Sequence, residues 1–177
     1  MPSHSPLVFH AANIYLAALS LIFLFSPTIS STALTKAKTE TINQVLDGHN
    51  SARKAVGVPP LQWEPLLATY ARVYSSNERR KDCKLVHSPG YGFGENLFWG
   101  KGSRWTAEDA VAAWVAERQW YHHANNSCNA KDCSHYTQIV WRTTQRVGCS
   151  KIICDSGETF IACEYYPPGN YFGQRPY

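Results

Sequence analysis

The 177-residue sequence lacks any run of five or more charges of one sign, and its formal net charge is a modest +4. A scattered positive charge of this size gives no reason to expect binding to nucleic acid. The sequence also lacks the units His-x-x-x-His and Cys-x-x-Cys, which would place two metal ligands side by side. The local pattern alone therefore indicates no metal site.

Charged residues are absent from the first 33 positions, which include the apolar run 14–25. That run is too short to cross a bilayer comfortably, which disfavours a membrane anchor. Pro27 ends it, and Ser31, Thr32 and Ala33 supply the small residues of a signal-peptidase site. The sequence therefore predicts a signal peptide over residues 1–33 and a single exported domain over residues 34–177.

The stretch 135–141 reads His-Tyr-Thr-Gln-Ile-Val-Trp and is rich in aromatic and β-branched side chains. Such side chains fit a pleated, half-buried surface, so a strand is predicted with His135 at its start. The two-residue period of a strand would place His135 on the same face as Ile139 and Trp141.

The spacing of apolar residues predicts three helices, over 39–56, from Pro65 onward, and from Thr106 to about Trp120. Asp109, three residues after Thr106, resembles a capping box at the start of the third helix. In the first helix His49, Asn50 and Arg53 are assigned structural roles. The inner face of the second helix is expected to hold Leu66, Leu67, Tyr70, Val73, Tyr74 and Asn77.

Glu117 lies on the flank of the third helix's apolar face, where a half-buried carboxylate needs a partner. Its neighbour Arg118 does not face it in a helix, so a partner distant in sequence is expected. A short strand is predicted at 84–87, followed by a glycine-rich passage that lets Glu95 point inward. A hairpin is predicted from strands 147–154 and 158–165 around the turn 155–157.

Six cysteines in a small exported domain predict three disulfides, for which fifteen connectivities exist. Cys149 and Cys163 lie equally far from the hairpin turn at Ser156, so they should face each other across the two strands. Cys154 is five residues from Cys149 and therefore points to the other sheet face. Cys128 can close on Cys133 within one loop, and the predicted bridges are Cys149–Cys163, Cys128–Cys133 and Cys83–Cys154.

Four motifs resemble the signature of the superfamily of cysteine-rich secretory proteins, antigen 5 and pathogenesis-related proteins, and the plant pathogenesis-related class 1 branch fits best. They are residues 48–53, 94–97, 134–144 and 163–177. They occur in the family's order, and the resemblance extends over nearly the whole exported chain. Two departures are visible: Ser134 stands where plant members usually have Gly, and Glu164 stands where they have Asn.

The resemblance implies an α+β fold, a three-layer α-β-α sandwich around a central, mainly antiparallel sheet, with the same three disulfides. It also implies a central cavity, because His87, Glu95, Glu117 and His135 match the two His and two Glu that line the family's cavity. Such a set suits Zn²⁺ or a similar divalent ion, although no cofactor is required. The alternative is a buried polar network that fixes the cavity.

A secreted plant defence protein with antimicrobial, sterol-binding action is the function that the resemblance implies, in the apoplast or the vacuole. Trp114, Trp120 and Tyr121 resemble the family's aromatic sterol-binding segment, and their alternative role is core and rim packing. The expected partner is a sterol or another membrane lipid of a microbe, and the protein is expected to be a monomer.

Two other functions stay open. The tail 167–177 resembles the immune-signalling peptide that is released from plant relatives. The resemblance implies a cut between Tyr166 and Pro167 and a receptor for the released peptide. The family usually has Asp where Tyr166 stands, which disfavours the cut. A metal-dependent hydrolase is the minority alternative, since no nucleophile stands out and a non-enzymatic protein is favoured. Asn125 begins a glycosylation sequon.

Overall fold

The computed structural model describes residues 30–90, 92–130 and 132–177. The chain divides into two units, Met1–Ala37 and Lys38–Tyr177, and the core and the candidate site described below lie in the second. The predicted signal peptide, residues 1–33, falls almost entirely outside the described residues, and its last three positions are helical. No helix in the described part of the chain combines the length and the apolar character needed to cross a membrane.

The second and third predicted helices begin close to the predicted positions, the first begins eight residues earlier than predicted, and a fourth helix was not predicted. The helices are α1 (Ser31–Ala55), α2 (Pro65–Tyr74), α3 (Ala107–Ala116) and α4 (Ser134–Ile139). Helix α2 continues as a π-helix over Ser75–Arg79, and α3 continues as a 3₁₀ turn over Glu117–Trp120. The predicted capping box is confirmed, because Asp109 N–H donates to Thr106 Oγ1 and Thr106 N–H donates to the Asp109 carboxylate.

A four-stranded sheet forms the centre of the protein. Its strands are β1 (Gln62–Trp63), β2 (Gly94–Gly100), β5 (Arg146–Ile153) and β6 (Thr159–Tyr166), and they lie in the order β1-β5-β6-β2. Only the short β1 pairs in parallel; the predicted hairpin, β5 with β6, and the β2–β6 pair are antiparallel. A separate two-stranded sheet joins β3 (Tyr121–His122) to β4 (Ser127–Cys128).

The sheet separates two apolar cores. On one face, side chains of β5 and β6 pack against α1, α3 and α4, with Val45, Val111 and Ile139 almost fully buried. On the other face, Phe160 and Leu97 pack against α2. The predicted α+β class, a three-layer α-β-α sandwich around a mainly antiparallel sheet, is confirmed.

Three disulfides form with the predicted pairing. Cys149 and Cys163 are directly opposite in the β5–β6 ladder. Cys154 lies in the other core, where it bonds Cys83, and Cys128 bonds Cys133 within one loop. The two longer-range bridges therefore lie on opposite faces of the sheet.

The strand predicted over 135–141 is wrong, because residues Ser134–Ile139 form helix α4. Asp132 accepts a hydrogen bond from the backbone N–H of Ser134 at 2.7 Å and so starts the helix. Tyr136 and Ile139, three residues apart, are both buried in the first core. Tertiary burial of one helical face outweighs the strand preference of these side chains.

The predicted strand at 84–87 is wrong, and the predicted inner face of α2 is right only for Leu67 and Tyr74. Residues 84–87 are not a strand, and the exposed side of α2 carries Leu66 and Val73, which are 78% and 45% exposed. The buried side carries Leu67, Ala71 and Tyr74. Positions 66, 70 and 73 repeat with the same helical spacing as 67, 71 and 74, so spacing could not decide which set faces the sheet.

The structural roles assigned to the polar residues of α1 are confirmed. His49 is fully buried; its Nδ1 lies 2.7 Å from the Val45 carbonyl oxygen and its Nε2 lies 2.8 Å from the Tyr165 hydroxyl. Burial lowers the pKa of His49 to about 4, so the ring is neutral. Asn50 exchanges two hydrogen bonds with the backbone of residue 61. The buried Arg53 guanidinium donates to the carbonyl oxygens of Pro59, Ile139, Trp141 and Thr144.

Candidate functional site

A cleft of about 660 Å³ opens beside the edge strand β2. Three of the four predicted site residues, His87, Glu95 and His135, line it. The fourth, Glu117, lies behind His135 and contacts it through a hydrogen bond. The structure thus brings together four side chains that come from a loop, a strand, a 3₁₀ turn and a helix.

The first pair is formed by His87 and Glu95. Strand β2 holds Glu95, and His87 lies in the loop that begins at the disulfide-bonded Cys83. His87 Nδ1 is 2.5 Å from Glu95 Oε1, and the same oxygen accepts the backbone N–H of Ser88 at 3.0 Å. This hydrogen bond raises the pKa of His87 above its usual value. Burial would raise the pKa of Glu95, but the hydrogen bonds that it accepts keep that pKa below its usual value.

The second pair, His135 and Glu117, repeats the same geometry. His135 Nδ1 is 2.6 Å from Glu117 Oε1, and Glu117 Oε2 accepts the backbone N–H of Tyr136 at 3.0 Å. That N–H belongs to the first turn of α4, where it has no partner within the helix. The imidazole of His135 also stacks on the indole of Trp114, with 6.1 Å between ring centroids. The distant partner expected for Glu117 is therefore His135.

A chain of hydrogen bonds ties the two pairs to the core. Asn96, next to Glu95 on β2, donates to the carbonyl oxygen of His135 at 3.1 Å. The same amide donates to the Tyr165 hydroxyl, which in turn lies 2.8 Å from His49 Nε2. The buried His49 thus supports the position of His135 through two intermediate residues.

Both pairs leave one ring nitrogen free. A carboxylate can only accept a hydrogen bond, so Nδ1 of His87 and of His135 must carry the proton. In the neutral ring Nε2 then has its lone pair available, and no described residue hydrogen-bonds Nε2 of either ring. Two such nitrogens at one cleft can bind a metal ion or a hydrogen-bond donor. Within the described residues no group of three or more potential ligands is close enough to hold an ion by itself.

Glu164 is a site residue that was not predicted from the sequence, where it was noted only as a departure from the family pattern. It is directly opposite Glu95 in the β2–β6 ladder and fully buried. Neither of its oxygens accepts a hydrogen bond from a described N–H or hydroxyl group. Burial, together with the neighbouring Glu95 carboxylate, raises the pKa of Glu164 to about 9. With that pKa, Glu164 is neutral at pH 7 and lies beside the Glu95 carboxylate.

The aromatic segment expected to contact sterol is divided between core and surface. Trp114 is 3% exposed, and its Nε1 donates to the carbonyl oxygen of Leu97, so it forms part of the core. Tyr121 is half-buried, and its hydroxyl donates to the Asn126 side chain at 2.8 Å. Trp120 is 40% exposed and is the member of the three that offers a free aromatic surface.

The C-terminal tail is packed against the domain. Gly169 N–H donates to the Gln138 side chain at 2.9 Å, and the ring of Tyr177 stacks on His123 with centroids 4.3 Å apart. Gly169 and its neighbour at position 170 also line the cleft. Tyr166, just before the tail, is 52% exposed, whereas residues 167–169 are half-buried. Release of the tail would therefore break contacts with α4 and remove one wall of the cleft.

Asn125, which begins the glycosylation sequon, is exposed, and its side chain accepts a hydrogen bond from Ser127 at 2.8 Å. The side chain is accessible to a glycan, and its modification stays a prediction.

The comparisons with known proteins agree with this geometry. Residues 46–165 match the model of the family described as "CAP: Cysteine-rich secretory protein family". The pathogenesis-related protein PR-1 of Medicago truncatula is 51% identical over 137 residues, which are 76% of this chain and 78% of that protein. The pathogenesis-related protein PRMS of Zea mays is 45% identical over 163 residues, which are 90% of this chain and 96% of that protein.

Among solved structures, the crystal structure of NaASP2 with Zn²⁺ has the same fold. Its TM-score is 0.67 at 24% identity, over 78% of this chain and 85% of that chain. The three disulfides and the similarity to these plant relatives indicate an extracellular protein. The chain belongs to the CAP family of cysteine-rich secretory proteins, and its close similarity to plant PR-1 proteins marks it as a pathogenesis-related defence protein of that family.

Proposed function

We propose that this is a non-enzymatic defence protein, secreted to the apoplast or vacuole, that acts by binding sterol in microbial membranes. The observation that carries the proposal is Trp120, an indole left 40% exposed on the surface of an extracellular domain. Indole rings suit the boundary between lipid and water because they are large, apolar and carry one polar N–H group. Tyr121, beside it, lines a groove of about 260 Å³ that can extend the contact.

The test is sterol binding by Trp120→Ala, measured with a labelled sterol. Truncating an aromatic side chain that contacts a ligand costs about 1 to 3 kcal/mol, so binding should weaken roughly ten- to hundredfold. Trp99→Ala is the matched control, since Trp99 is 43% exposed on β2 and far from Trp120 in sequence. It should bind sterol as the wild type does.

Glu117→Gln changes the cleft and leaves the Trp120 surface unchanged, so it should leave sterol binding intact. Thermal melts must show that each variant is folded, because a destabilised protein would imitate lost binding. Normal binding by folded Trp120→Ala together with lost binding by Glu117→Gln would assign sterol to the cleft instead.

A divalent cation in the cleft is a second candidate, favoured by the two carboxylate–histidine pairs. Imidazoles that ligate zinc commonly donate their other N–H to a carboxylate, which fixes the tautomer and the ring orientation. His87 and His135 would hold the ion through Nε2, and Glu95 and Glu117 would orient the rings. A bound Zn²⁺ would supply a positive charge and would connect the loop that carries His87 to α4, because each element would provide one ligand. NaASP2, which shares the fold, has been crystallised with Zn²⁺.

Titration calorimetry with Zn²⁺ tests this candidate. The double variant His87→Ala/His135→Ala should lose the binding heat, and His122→Ala, which alters an exposed histidine on β3, should keep it. Binding should weaken as the pH falls, because protonated imidazole cannot ligate a metal. Equal heats for the wild type and the double variant would remove the cleft as the metal site.

A further inference from the structure

Helix α2 exposes two large apolar side chains. Leu66 and Val73 are 78% and 45% exposed, and Tyr70 lies between them at helical spacing. A helix on the surface of a protein normally turns polar residues to the solvent. The exposure of Leu66 and Val73 therefore requires an explanation.

The exposed apolar surface continues from α2 onto the loop that carries His87. Leu85 and Val86 are 57% and 49% exposed, and the carbonyl oxygen of Val86 accepts a hydrogen bond from the Tyr74 hydroxyl of α2. The Tyr70 ring also contacts Phe93, with centroids 5.3 Å apart. We call this surface the apolar strip, which consists of Leu66, Tyr70, Val73, Leu85, Val86 and Phe93.

Unpaired positive charge lies along one end of the apolar strip. Positions 72–84 contain five basic and two acidic residues. Arg79 pairs with Asp82 at 3.5 Å, and Glu78 is the remaining acidic group. Arg72 lies on another side of α2, where it lines a groove with Trp63 and Cys149. The other three exposed basic side chains, which form no ion pair with any described residue, make up the basic cluster: Arg80, Lys81 and Lys84.

We infer that the apolar strip and the basic cluster together dock on the surface of an anionic phospholipid bilayer. The strip would enter the boundary between headgroups and acyl chains, and the basic cluster would contact lipid phosphates. Each Lys or Arg near an anionic membrane contributes about 1 kcal/mol, so the three of the basic cluster outweigh the single acidic neighbour. A second copy of the chain fits this surface less well, because a two-fold contact would bring two basic clusters together.

This surface is separate from the sterol contact proposed above. It lies on α2 and the loop 84–90, whereas Trp120 follows α3, and it requires no sterol. Leu85 and Phe93 also line the cleft, so docking would bring the mouth of the cleft to the membrane. Sterol binding and docking on anionic phospholipid can therefore be tested separately in one set of experiments.

Co-sedimentation with sterol-free vesicles tests the inference. The wild type should bind phosphatidylcholine vesicles that contain phosphatidylglycerol and should leave pure phosphatidylcholine vesicles unbound. Arg80→Gln/Lys81→Gln should weaken binding about thirtyfold, which corresponds to about 1 kcal/mol per charge. Leu66→Ser/Val73→Ser, at two exposed positions, should weaken it about tenfold, and thermal melts check that this variant is folded.

Matched controls are Ile153→Ser, which changes a 37% exposed side chain on β5, and Lys101→Gln, which removes an exposed charge outside the basic cluster. Both should bind as the wild type does, and so should Trp120→Ala, because these vesicles contain no sterol. The inference is overturned if the wild type does not bind anionic vesicles, if it binds neutral ones equally well, or if the controls weaken binding as much as the strip and cluster variants. Concentration-dependent dimerisation lost in Leu66→Ser/Val73→Ser would assign the strip to a second copy and would also overturn it.

Discussion

The two histidine–glutamate pairs at the cleft have the same chemistry but different supports. In each, a carboxylate holds Nδ1 of a histidine and also accepts the backbone N–H of the next residue. His87 lies on an exposed loop, with 69% of its side chain accessible, whereas His135 lies on a helix, with 27% accessible. Behind Glu95 lies the buried carboxyl group of Glu164, whereas Trp114 stacks on His135.

This difference shows that one local geometry can be built in two ways. His135 is held by packing and by a helix terminus, so its pair depends on the apolar core. His87 is held by a loop that a disulfide joins to the hairpin and by a carboxylate with a neutral buried neighbour. The geometry of the His87 pair should therefore change when the Cys83–Cys154 disulfide is reduced or the pH is changed. The geometry of the His135 pair should change when the hydrogen bonds that start α4 are removed.

The largest expected effect comes from the disulfides that precede the two histidines. Cys83–Cys154 spans 71 residues and Cys128–Cys133 spans 5. In the chain-entropy account, their removal costs about 4 and about 2 kcal/mol respectively, because the longer loop restricts the unfolded chain more. Denaturant unfolding of the two double Cys→Ala variants measures this. An equal loss in both would show that the loop around His87 is not held mainly by its bridge.

A pH-dependent effect should follow from Glu164. Its folded-state pKa is raised to about 9, so between the ordinary carboxyl pKa and pH 9 the folded chain keeps a proton that the unfolded chain has lost. Glu164 therefore lowers the stability as the pH rises through that range. Relative to the wild type, the free energy of unfolding of Glu164→Gln, whose amide stays neutral, should therefore rise by about 1 kcal/mol per pH unit from pH 5 to pH 8.

Denaturant unfolding of both proteins at several pH values provides the measurement. Glu158→Gln is the control, since Glu158 lies at the hairpin turn and hydrogen-bonds only Ser156 through its side chain in the described structure. Its difference from the wild type should not change with pH. A Glu164→Gln difference that is equally flat would mean that Glu164 is ionised in the folded protein.

The smallest of the three stability effects comes from removing the carboxylates themselves. Glu117→Ala leaves His135 Nδ1 and the Tyr136 N–H without their acceptor in a partly buried place and should cost about 2 kcal/mol. Glu95→Ala should cost about 1 kcal/mol or less, because the exposed His87 can bind water in place of the carboxylate. Urea titrations at pH 7 compare the two. The reverse order would contradict the assignment of the stronger support to His135.

The sequence predicted the helices α1 to α3, the hairpin and the disulfide pairing because each depends on local spacing or on symmetry about a turn. It failed at His135–Trp141, where the side chains prefer a strand but Asp132 and the burial of Tyr136 favour a helix. The outward Leu66 could not be predicted either, since two apolar rows on α2 share one spacing.

The four cleft residues were found through family resemblance, because no spacing connects side chains from four separate elements. Glu164 could have been found from the hairpin alone. It lies one residue after Cys163 on β6, in a row of buried positions where a carboxyl group is unusual. What the sequence could not show is that β2, unpredicted as a strand, would place Glu95 directly opposite it.

The central claim is that each carboxylate fixes its histidine with the proton on Nδ1, so that Nε2 of both rings is free at the cleft. Nitrogen NMR of the imidazole rings tests it most directly, at a pH where both rings are neutral. The account predicts the Nδ1–H tautomer for both His87 and His135, and a return to the mixture of a free imidazole for His87 in Glu95→Ala and for His135 in Glu117→Ala. Nε2–H tautomers in the wild-type protein would contradict it.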